Sequence, residues 1–228
     1  MLDNVFVSDR FETWRTCHYK YYLKYIKQLR LPEPKANYEL GKTIHALVCY
    51  YLRGFEITPL EESLDVEKLN HWNSLKNHPI ITNKLIATEW RFEARVNGTD
   101  SWLNGRIDAV FYDTEADKYI IADWKTGQNL PKEPEDSFQT RIYLYSFFKA
   151  QKDLKLDFPH EKLVFQYIKT AAEAEAAEPI YYSHEKEIEY ENQFRTLIEE
   201  IHCSENFPPR EDAGSKSCKY CPYQKFCF

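Results

Sequence analysis

The hydropathy of the chain changes period near its middle, and this change limits the folds open to it. Residues Thr88–Val96 alternate between apolar and polar side chains through Trp90, Phe92 and Ala94, as a half-buried strand does. The pattern predicts four strands, Thr88–Val96, Trp102–Tyr112, Lys118–Lys125 and Lys162–Thr170, with a helix over Ser137–Gln151 before the last. Strands and helices in this order predict an α/β fold, with a central mixed sheet flanked by helices.

Helical periodicity occupies both ends of the chain. Ser8 can cap a helix whose apolar residues recur at spacings of three or four, and Leu31–Pro34 ends it. Further elements are a helix over Tyr38–Leu52, a loop with short helices over 55–85, a short strand at Ile180–Ser183 and a helix over Glu187–Cys203. The 228 residues fit a single domain, with a helical part (1–86), a sheet core (87–170) and a cysteine-rich tail (204–228).

Nothing in the hydropathy of the chain indicates a membrane protein. The longest apolar candidate, Ile44–Leu52, is far shorter than the ~18 residues that a membrane span needs. Met1–Arg10 lacks the apolar centre of a signal peptide. We therefore expect a cytoplasmic protein without a membrane partner.

The chain is acidic overall but basic near its N-terminus. A net charge of −6 gives no bulk sign of nucleic-acid binding. Residues 13–32, however, contain no acidic side chain and include Arg15, Lys20, Lys24 and Lys27. These cations could contact a phosphate backbone locally, although a basic helix face is more often only solvated.

Two aspartates and a lysine are predicted on neighbouring strands. Alternation places Asp123 and Lys125 on one face, about 7 Å apart along the strand, and Asp108 lies in the preceding strand of the same hairpin. Converging carboxylates repel one another unless a cation lies between them, and Mg²⁺ or Mn²⁺ would satisfy both. Lys125 could then orient or deprotonate a water and stabilise charge on a phosphoryl oxygen. The alternative is a plain surface ion pair beside a solvated Asp108.

Three cysteines crowd the end of the chain, in the pattern Cys218-x-x-Cys221 followed by Cys227. Without a secretion signal, such crowding indicates metal binding before disulfides. A tetrahedral set needs a fourth ligand, which is open among the histidines and the other cysteines: Cys17, Cys49 and Cys203. Four-thiolate zinc and a [4Fe–4S] cluster both satisfy the valence. Cys49 and Cys203 are expected to be buried free thiols.

Four further patterns follow one another along the chain: Gly41-x-x-x-His45, Gly105-x-x-Asp108, Asp123-x-Lys125-Thr126-Gly127 and Gln139-x-x-x-Tyr143. Together with Ser8–Tyr22, which carries Cys17, and with the cysteine tail, they resemble the PD-(D/E)XK nuclease superfamily. The resemblance covers nearly the whole chain. It is to the RecB-like, Cas4-like iron–sulfur exonucleases, related to the nuclease domains of AddB and Dna2, and it implies a restriction-endonuclease-like fold closed by the cysteine tail.

The resemblance also implies a role for each matching residue. His45, Asp108, Asp123 and the Trp124 carbonyl would hold Mg²⁺ or Mn²⁺, and Lys125 would be the catalytic lysine. Gln139 and Tyr143 would join the catalytic set near the DNA, and Glu89 would match an acidic residue near the first strand. Cys17, Cys218, Cys221 and Cys227 would hold a [4Fe–4S] cluster.

The activity that the resemblance implies is metal-dependent hydrolysis of DNA, by an exonuclease that acts on single strands or DNA ends. Arg15, Lys20, Lys24 and Lys27 would hold the DNA backbone. One alternative is a nucleic-acid-binding or scaffold protein that keeps the fold without the chemistry, and another is a nuclease stapled by zinc. No motif indicates a protein partner in DNA repair, recombination or CRISPR adaptation.

Overall fold

The computed structural model describes residues 4–31, 36–127, 130–171, 174–209 and 216–227. The predicted helix-ending segment Leu31–Pro34 lies mostly outside these residues. Within them the chain forms a seven-stranded mixed sheet with helices on both faces, so the predicted α/β fold is confirmed. No helix in these ranges is both long and apolar enough to cross a membrane.

Three long antiparallel strands and one parallel strand form the centre of the sheet. The strands are β1 (Val5–Phe6), β2 (Lys84–Arg95), β3 (Trp102–Asp113), β4 (Lys118–Lys125), β5 (Leu163–Lys169), β6 (Glu175–Ala176) and β7 (Ile180–Tyr181). β2 and β4 both run antiparallel to β3, and β4 runs parallel to β5. The short strands pair with the remaining edges, β1 with β3 and β6 and β7 with β5.

The helices divide between the two faces of this sheet. They are α1 (Ser8–Thr16), α2 (His18–Tyr21), α3 (Ala36–Leu52), α4 (Thr58–Glu61), α5 (Val66–Lys76), α6 (Phe138–Lys149), α7 (His184–Cys203) and α8 (Lys216–Lys219). α1, α6 and α7 cover one face in a cluster that includes Phe11, Ile121 and Phe194. α3 and α5 cover the other face in a cluster that includes Trp72 and Ala122. α6 is the crossover that allows β4 and β5 to run parallel.

The first helix is interrupted, where the sequence predicts a continuous one. α1 ends at Thr16 because Cys17 is extended, with φ −166° and ψ 114°. The Cys17 thiol then accepts a hydrogen bond from the backbone N–H of Lys20 at 3.4 Å and so caps α2. A π-helical turn over Tyr22–Ile26 follows. Lys20 and Lys24 therefore lie in different helical segments.

Some boundaries and one burial prediction also differ from expectation. α7 begins at His184 rather than Glu187, because the Ser183 hydroxyl accepts a hydrogen bond from the backbone N–H of Lys186 and caps the helix there. Cys203 is exposed, so the prediction of a buried thiol is wrong at that position. α7 buries the stripe Tyr190, Phe194, Ile198 and Ile201, and Cys203 falls outside it. Cys49 is buried as expected.

Candidate active site

β4 brings two predicted site residues to one end of the sheet. Asp123 and Lys125 lie on the same face as Ile121, which α6 covers. The Lys125 ammonium nitrogen lies 2.7 Å from Asp123 Oδ2. Asp123 is only 2% exposed and Asp108 only 5%, so neither the surface ion pair nor the solvated aspartate of the alternative interpretation is present.

Asp108 lies in β3 at the point where the pairing of β3 with β4 ends. The ladder stops at the Ala109–Ala122 pair. Beyond it, Asp108 Oδ2 accepts a hydrogen bond of 2.9 Å from the backbone N–H of Trp124. The Asp108 side chain therefore takes the place of a β3 carbonyl as the acceptor for the Trp124 N–H. This bond holds Asp108 close enough to Asp123 for their charges to interact.

His45 reaches this cluster from α3, on the opposite face of the sheet. Its Nε2 lies 3.2 Å from the Trp124 carbonyl oxygen, and its Nδ1 lies 3.2 Å from Asp108 Oδ1. Each ring nitrogen thus faces an oxygen acceptor, whereas a neutral imidazole carries one N–H. Satisfying both contacts requires a second proton on the ring or a cation beside it.

Glu89 adds a third carboxylate from β2. One ligand atom from each of His45, Glu89 and Asp108 lies within 4.8 Å of the other two. Glu89 also has a φ of 50°, in the left-handed region that residues other than glycine rarely adopt. Backbone strain of this kind concentrates at functional sites. Arg106 Nη1 forms a 2.7 Å ion pair with Glu89, and Arg106 is itself exposed.

α6 supplies two residues that fix the β4 side chains. Gln139 accepts a hydrogen bond from Lys125 Nζ at 2.8 Å and donates one to Asp123 Oδ1 at 2.7 Å. Its amide also donates to the Tyr143 hydroxyl at 3.2 Å, and that hydroxyl donates to the Arg106 carbonyl at 2.6 Å. In this arrangement Gln139 and Tyr143 position the aspartate and the lysine and connect them to β3.

Two glycines allow the elements of the site to approach one another. A Cβ at Gly41 would lie 3.3 Å from the Thr126 hydroxyl, so the absence of a side chain brings α3 against the end of β4. A Cβ at Gly105 would lie 2.6 Å from the Phe92 ring and 3.2 Å from the Tyr143 ring. A side chain at Gly105 would therefore displace the aromatic pair that supports Tyr143.

Burial and mutual repulsion perturb the acids of the cluster. Burial, and next the charge of Asp108, raise the pKa of Asp123 above its ordinary value despite Lys125. Burial also raises the pKa of Glu89, against the opposing charge of Arg106. Burial alone would lower the pKa of His45, but the Asp108 carboxylate outweighs it and the net shift is upward. The charged forms of Asp123 and Glu89 are therefore less stable in this cluster than in water, mainly because the groups are buried.

These residues fit a divalent cation. His45 Nδ1 and Asp123 Oδ2 are buried and have no partner in hydrogen-bond geometry, although Asp123 Oδ2 keeps its ion-pair contact with Lys125. Carboxylate and carbonyl oxygens are the donors that Mg²⁺ and Mn²⁺ prefer, and an imidazole among them favours Mn²⁺. A cation at this position would offset the negative charge of the converging carboxylates and could bind a ring nitrogen of His45.

Three cysteines of the predicted cluster, Cys17, Cys218 and Cys221, lie close enough to Cys227 for their charges to act on it. Burial, and next the proximity of the Cys17, Cys221 and Cys218 thiols, raise the pKa of Cys227. The two ends of the chain also meet through side chains. The Tyr19 hydroxyl donates to the Phe226 carbonyl at 3.2 Å, and the Tyr223 hydroxyl donates to the Leu29 carbonyl at 2.9 Å. The segment that carries Cys17 and the tail that carries the other three cysteines are therefore already in contact.

Two of the four cations predicted to hold DNA are engaged with acidic side chains. Arg15 forms a 2.6 Å ion pair with Glu12, and Lys24 forms a 2.5 Å ion pair with Asp9. The ammonium group of Lys27 lies over the Tyr22 ring. The assignment of Arg15, Lys20, Lys24 and Lys27 to DNA binding remains a prediction.

Arg106 is the residue of this region that the sequence interpretation missed. It lies within the Gly105–Asp108 pattern, and alternation along β3 places it on the same face as Asp108. This alternation could have identified Arg106 as a neighbour of Asp108 from the sequence. Its side chain pairs with Glu89 and its carbonyl accepts the Tyr143 hydroxyl, so it joins β2, β3 and α6 at the cluster.

The mixed sheet presents two buried aspartates and a lysine at one end, with a histidine across from them, and this set of donors could hold a divalent cation. The chain belongs to the PD-(D/E)XK nuclease superfamily, whose model matches residues 8–228. It is accordingly assigned to the nucleases, and nucleic acid is the substrate class that this membership implies. No curated protein matches the chain in sequence.

Two crystal structures share this fold. A "putative exonuclease" from Eubacterium rectale aligns with a TM-score of 0.57 and 10% identity, over 98% of this chain and 88% of that one. The structure of SSO0001 aligns with a TM-score of 0.50 and 20% identity, over 99% of this chain and 86% of that one. At these identities the likeness is one of fold.

Proposed function

We propose that the chain is a Cas4-like, divalent-metal-dependent DNA nuclease, and that it acts as an exonuclease on single-stranded DNA or DNA ends. The observation that carries the proposal is the approach of His45, Glu89 and Asp108 ligand atoms to within 4.8 Å, directly beside the Asp123–Lys125 pair. A metal cation and an ammonium group can act together on one phosphate during its hydrolysis, and both can be accommodated here.

The metal ligands in this proposal are His45, Asp108, Asp123 and the Trp124 carbonyl, with Glu89 as a further carboxylate. When bound, the cation supplies Lewis acidity towards the scissile phosphate and lowers the pKa of a water. The chain's own residues account for the rest. Lys125, held by Asp123 and Gln139, offsets the charge that develops on the phosphoryl oxygens.

Gln139 and Tyr143 act in this mechanism as positioning residues. Gln139 bonds both Asp123 and Lys125, so it fixes the distance between the carboxylate and the ammonium group. Tyr143 ties Gln139 to the backbone of β3 and thereby to the strand that carries Asp108. Loss of either side chain would loosen the site without removing a group that contacts the phosphate.

The test is digestion of labelled DNA, with the label at one end of each linear substrate and within the circle. Linear single-stranded, linear double-stranded and covalently closed circular single-stranded DNA are incubated with Mg²⁺, Mn²⁺ or EDTA. We expect metal-dependent loss of the linear single strand, with the circle intact and Asp108→Asn inactive. Cleavage of the circle would make the enzyme an endonuclease. No cleavage with either metal, or full activity of Asp108→Asn, would contradict the proposal.

We further propose that Cys17, Cys218, Cys221 and Cys227 hold a [4Fe–4S] cluster that staples the chain ends. The proximity of Cys17, Cys218 and Cys221 to Cys227, which raises the pKa of the Cys227 thiol, supports this assignment. Protein purified without oxygen should be brown, absorb at roughly 400 nm and contain iron and sulfide. Cys218→Ala should lose both the colour and the iron, whereas Cys203→Ala should keep them because Cys203 is exposed and outside the set. Colourless protein with stoichiometric zinc would instead identify the zinc alternative.

A further inference from the structure

A cavity of about 700 Å³ opens beside the catalytic cluster, on the α3 side of the sheet. One stripe of α3 forms a wall of it, and Glu89 and Arg106 close it on the strand side. His45 and Glu89 line the cavity and also belong to the metal cluster. A ligand in this cavity would therefore extend directly to the reacting phosphate.

The charges around this α3 groove favour an anion. Lys42, Arg53 and Arg106 line it against the single carboxylate of Glu89, whose charge Arg106 already pairs. Arg53 Nη2 lies 3.5 Å from the Thr88 carbonyl, which places the guanidinium at the start of the strand wall. All three cationic side chains are on exposed residues and can meet a ligand without unfolding any element.

Two exposed aromatic rings stand at the outer end of the groove. Tyr50, which lines the groove, is 45% exposed, and Phe55 is 59% exposed. Their ring centroids are 5.8 Å apart, with the ring planes nearly perpendicular. Gly54, with φ of 76°, makes the turn that brings Phe55 back against Tyr50. Neither ring belongs to the two buried clusters, so the packing of the core does not explain them.

We propose that the α3 groove binds one unpaired nucleic-acid strand and leads it to the catalytic cluster. Phosphates lie along Lys42, Arg53 and Arg106, and a base stacks on Tyr50 or Phe55. Cations along a backbone together with stacking aromatic rings are the combination by which proteins bind single strands. Bases inside a duplex are already stacked on their neighbours, so rings of this kind select an unpaired strand. This inference rests on the proposed nuclease function and specifies its substrate.

The experiment measures binding of a fluorescent oligothymidylate by anisotropy, on the Asp108→Asn chain so that cleavage does not intervene. Lys42→Gln with Arg53→Gln should weaken binding about tenfold or more. It should also reduce the slope of log affinity against log salt by about 1.4, the value for two lost phosphate contacts on a single strand. The matched control is Lys152→Gln with Lys155→Gln, which removes two exposed cations beyond the far end of α6 and should leave affinity and slope unchanged.

A second variant tests the contribution of base stacking separately from that of the cationic side chains. Tyr50→Ala with Phe55→Ala should weaken binding of the single strand about tenfold while the salt slope stays constant, because no phosphate contact is lost. Binding of a blunt duplex should not change. Tyr181→Ala, which removes an exposed ring from β7, serves as the control. Every substituted residue in both arms is exposed, so melting temperatures should match the parent and show that folding persists.

Unchanged single-strand affinity in both groove variants would overturn the inference, as would an equal loss of duplex binding in the aromatic variant. A loss seen only on replacing Lys20 and Lys27 would move the strand to the N-terminal helices and would also overturn it. These outcomes are independent of the nuclease test. A wild-type chain that cleaves DNA while the groove variants bind normally refutes the groove alone, and a chain that cleaves nothing refutes the nuclease proposal.

Discussion

Two clusters in the described part of the chain bring histidine and carboxylate ligand atoms within 4.8 Å of one another. One is His45, Glu89 and Asp108, and the other is His160, His184 and Glu187, beside Lys149 at the C-terminal end of α6. Their charges are satisfied differently. Glu187 lies 2.5 Å from the Lys149 ammonium nitrogen and 2.6 Å from His160 Nε2. In the catalytic cluster, buried polar atoms of His45 and Asp123 lack hydrogen-bond partners.

The pKa of Glu187 and the pKa of Asp123, the buried acids of the two regions, are shifted in opposite directions. Burial alone would raise the pKa of Glu187, but the bonds from Lys149 and His160 outweigh it and the net shift is downward. Burial and the charge of Asp108 raise the pKa of Asp123. The Glu187 cluster therefore stabilises the charged form of its acid, whereas the catalytic cluster destabilises it. The two clusters share residue types but differ in whether the chain's own cations outweigh the effect of burial on the acid.

The largest effect should come from removing a carboxylate. We expect Asp108→Asn to reduce cleavage by about a thousandfold or more, equal to ~4 kcal/mol of barrier, because a metal ligand is lost. Glu187→Gln, the same change in the other cluster, should leave the rate within about twofold. Initial rates on labelled single-stranded DNA measure both. A similar loss in the two variants would mean that the clusters are not functionally distinct.

The two lysines give the next comparison. Lys125→Gln should lower kcat about a hundredfold, because the ammonium group that offsets phosphoryl charge is removed. Lys149→Gln should leave kcat within about twofold, since Lys149 pairs with Glu187 and Glu191 and lies over the Tyr145 ring, away from the catalytic cluster. Single-turnover rates separate this loss from weaker binding. An effect confined to KM would contradict the role given to Lys125.

For the free energy of unfolding, we expect a loss in Glu187→Gln and none in Asp108→Asn, the reverse of their order for cleavage. Glu187→Gln should lower the free energy of unfolding by about 1 kcal/mol, because a half-buried ion pair is broken. Asp108→Asn should leave it unchanged or raise it by up to ~1 kcal/mol, since repulsion with Asp123 is relieved and the amide oxygen can still accept the Trp124 N–H. Urea unfolding in EDTA measures both. The comparison fails if Asp108→Asn is the less stable of the two.

The last comparison concerns how the stability of the metal-free protein depends on pH. The pKa of Asp123 is raised from an ordinary 3.8 to about 6, so its contribution to stability is lost as pH rises through that interval. The pKa of Glu187 is lowered from 4.5, so its contribution is present above that value and is lost as pH falls. Slopes of at most about 1.4 kcal/mol per pH unit and of opposite sign should disappear in Asp123→Asn and Glu187→Gln, respectively. Unfolding measured across this pH range gives the slopes.

The strand core could be predicted from the sequence where alternation is regular. β4 has the predicted bounds, Lys118–Lys125, and β3 is one residue longer than Trp102–Tyr112 at its end. β2 begins at Lys84, earlier than the predicted Thr88, because a register shift between Leu85 and Ala87 breaks the alternation there. A periodicity argument cannot find a strand across such a bulge.

The residues of the candidate site could be proposed from the sequence, but the strand pairing that brings them together could not. A two-residue turn at Asn97–Gly98 would have placed Glu89 opposite Arg106. The ladder instead pairs Trp90 with Ile107, so that Glu89 faces Asp108. The longer turn, closed by the bond from the Val96 N–H to the Ser101 carbonyl, sets this register. The break at Cys17 was equally hidden, because no glycine or proline marks it.

The close approach of α3 to Thr126 that Gly41 permits places His45 against strands that it does not belong to, and Gln139 approaches the same strands from the other face. The site therefore spans three layers of the molecule. A chain with α3 undocked has the carboxylates without the imidazole. In the proposed mechanism the metal site is therefore complete only after α3 has docked, so the chain gains its fold and its chemistry together.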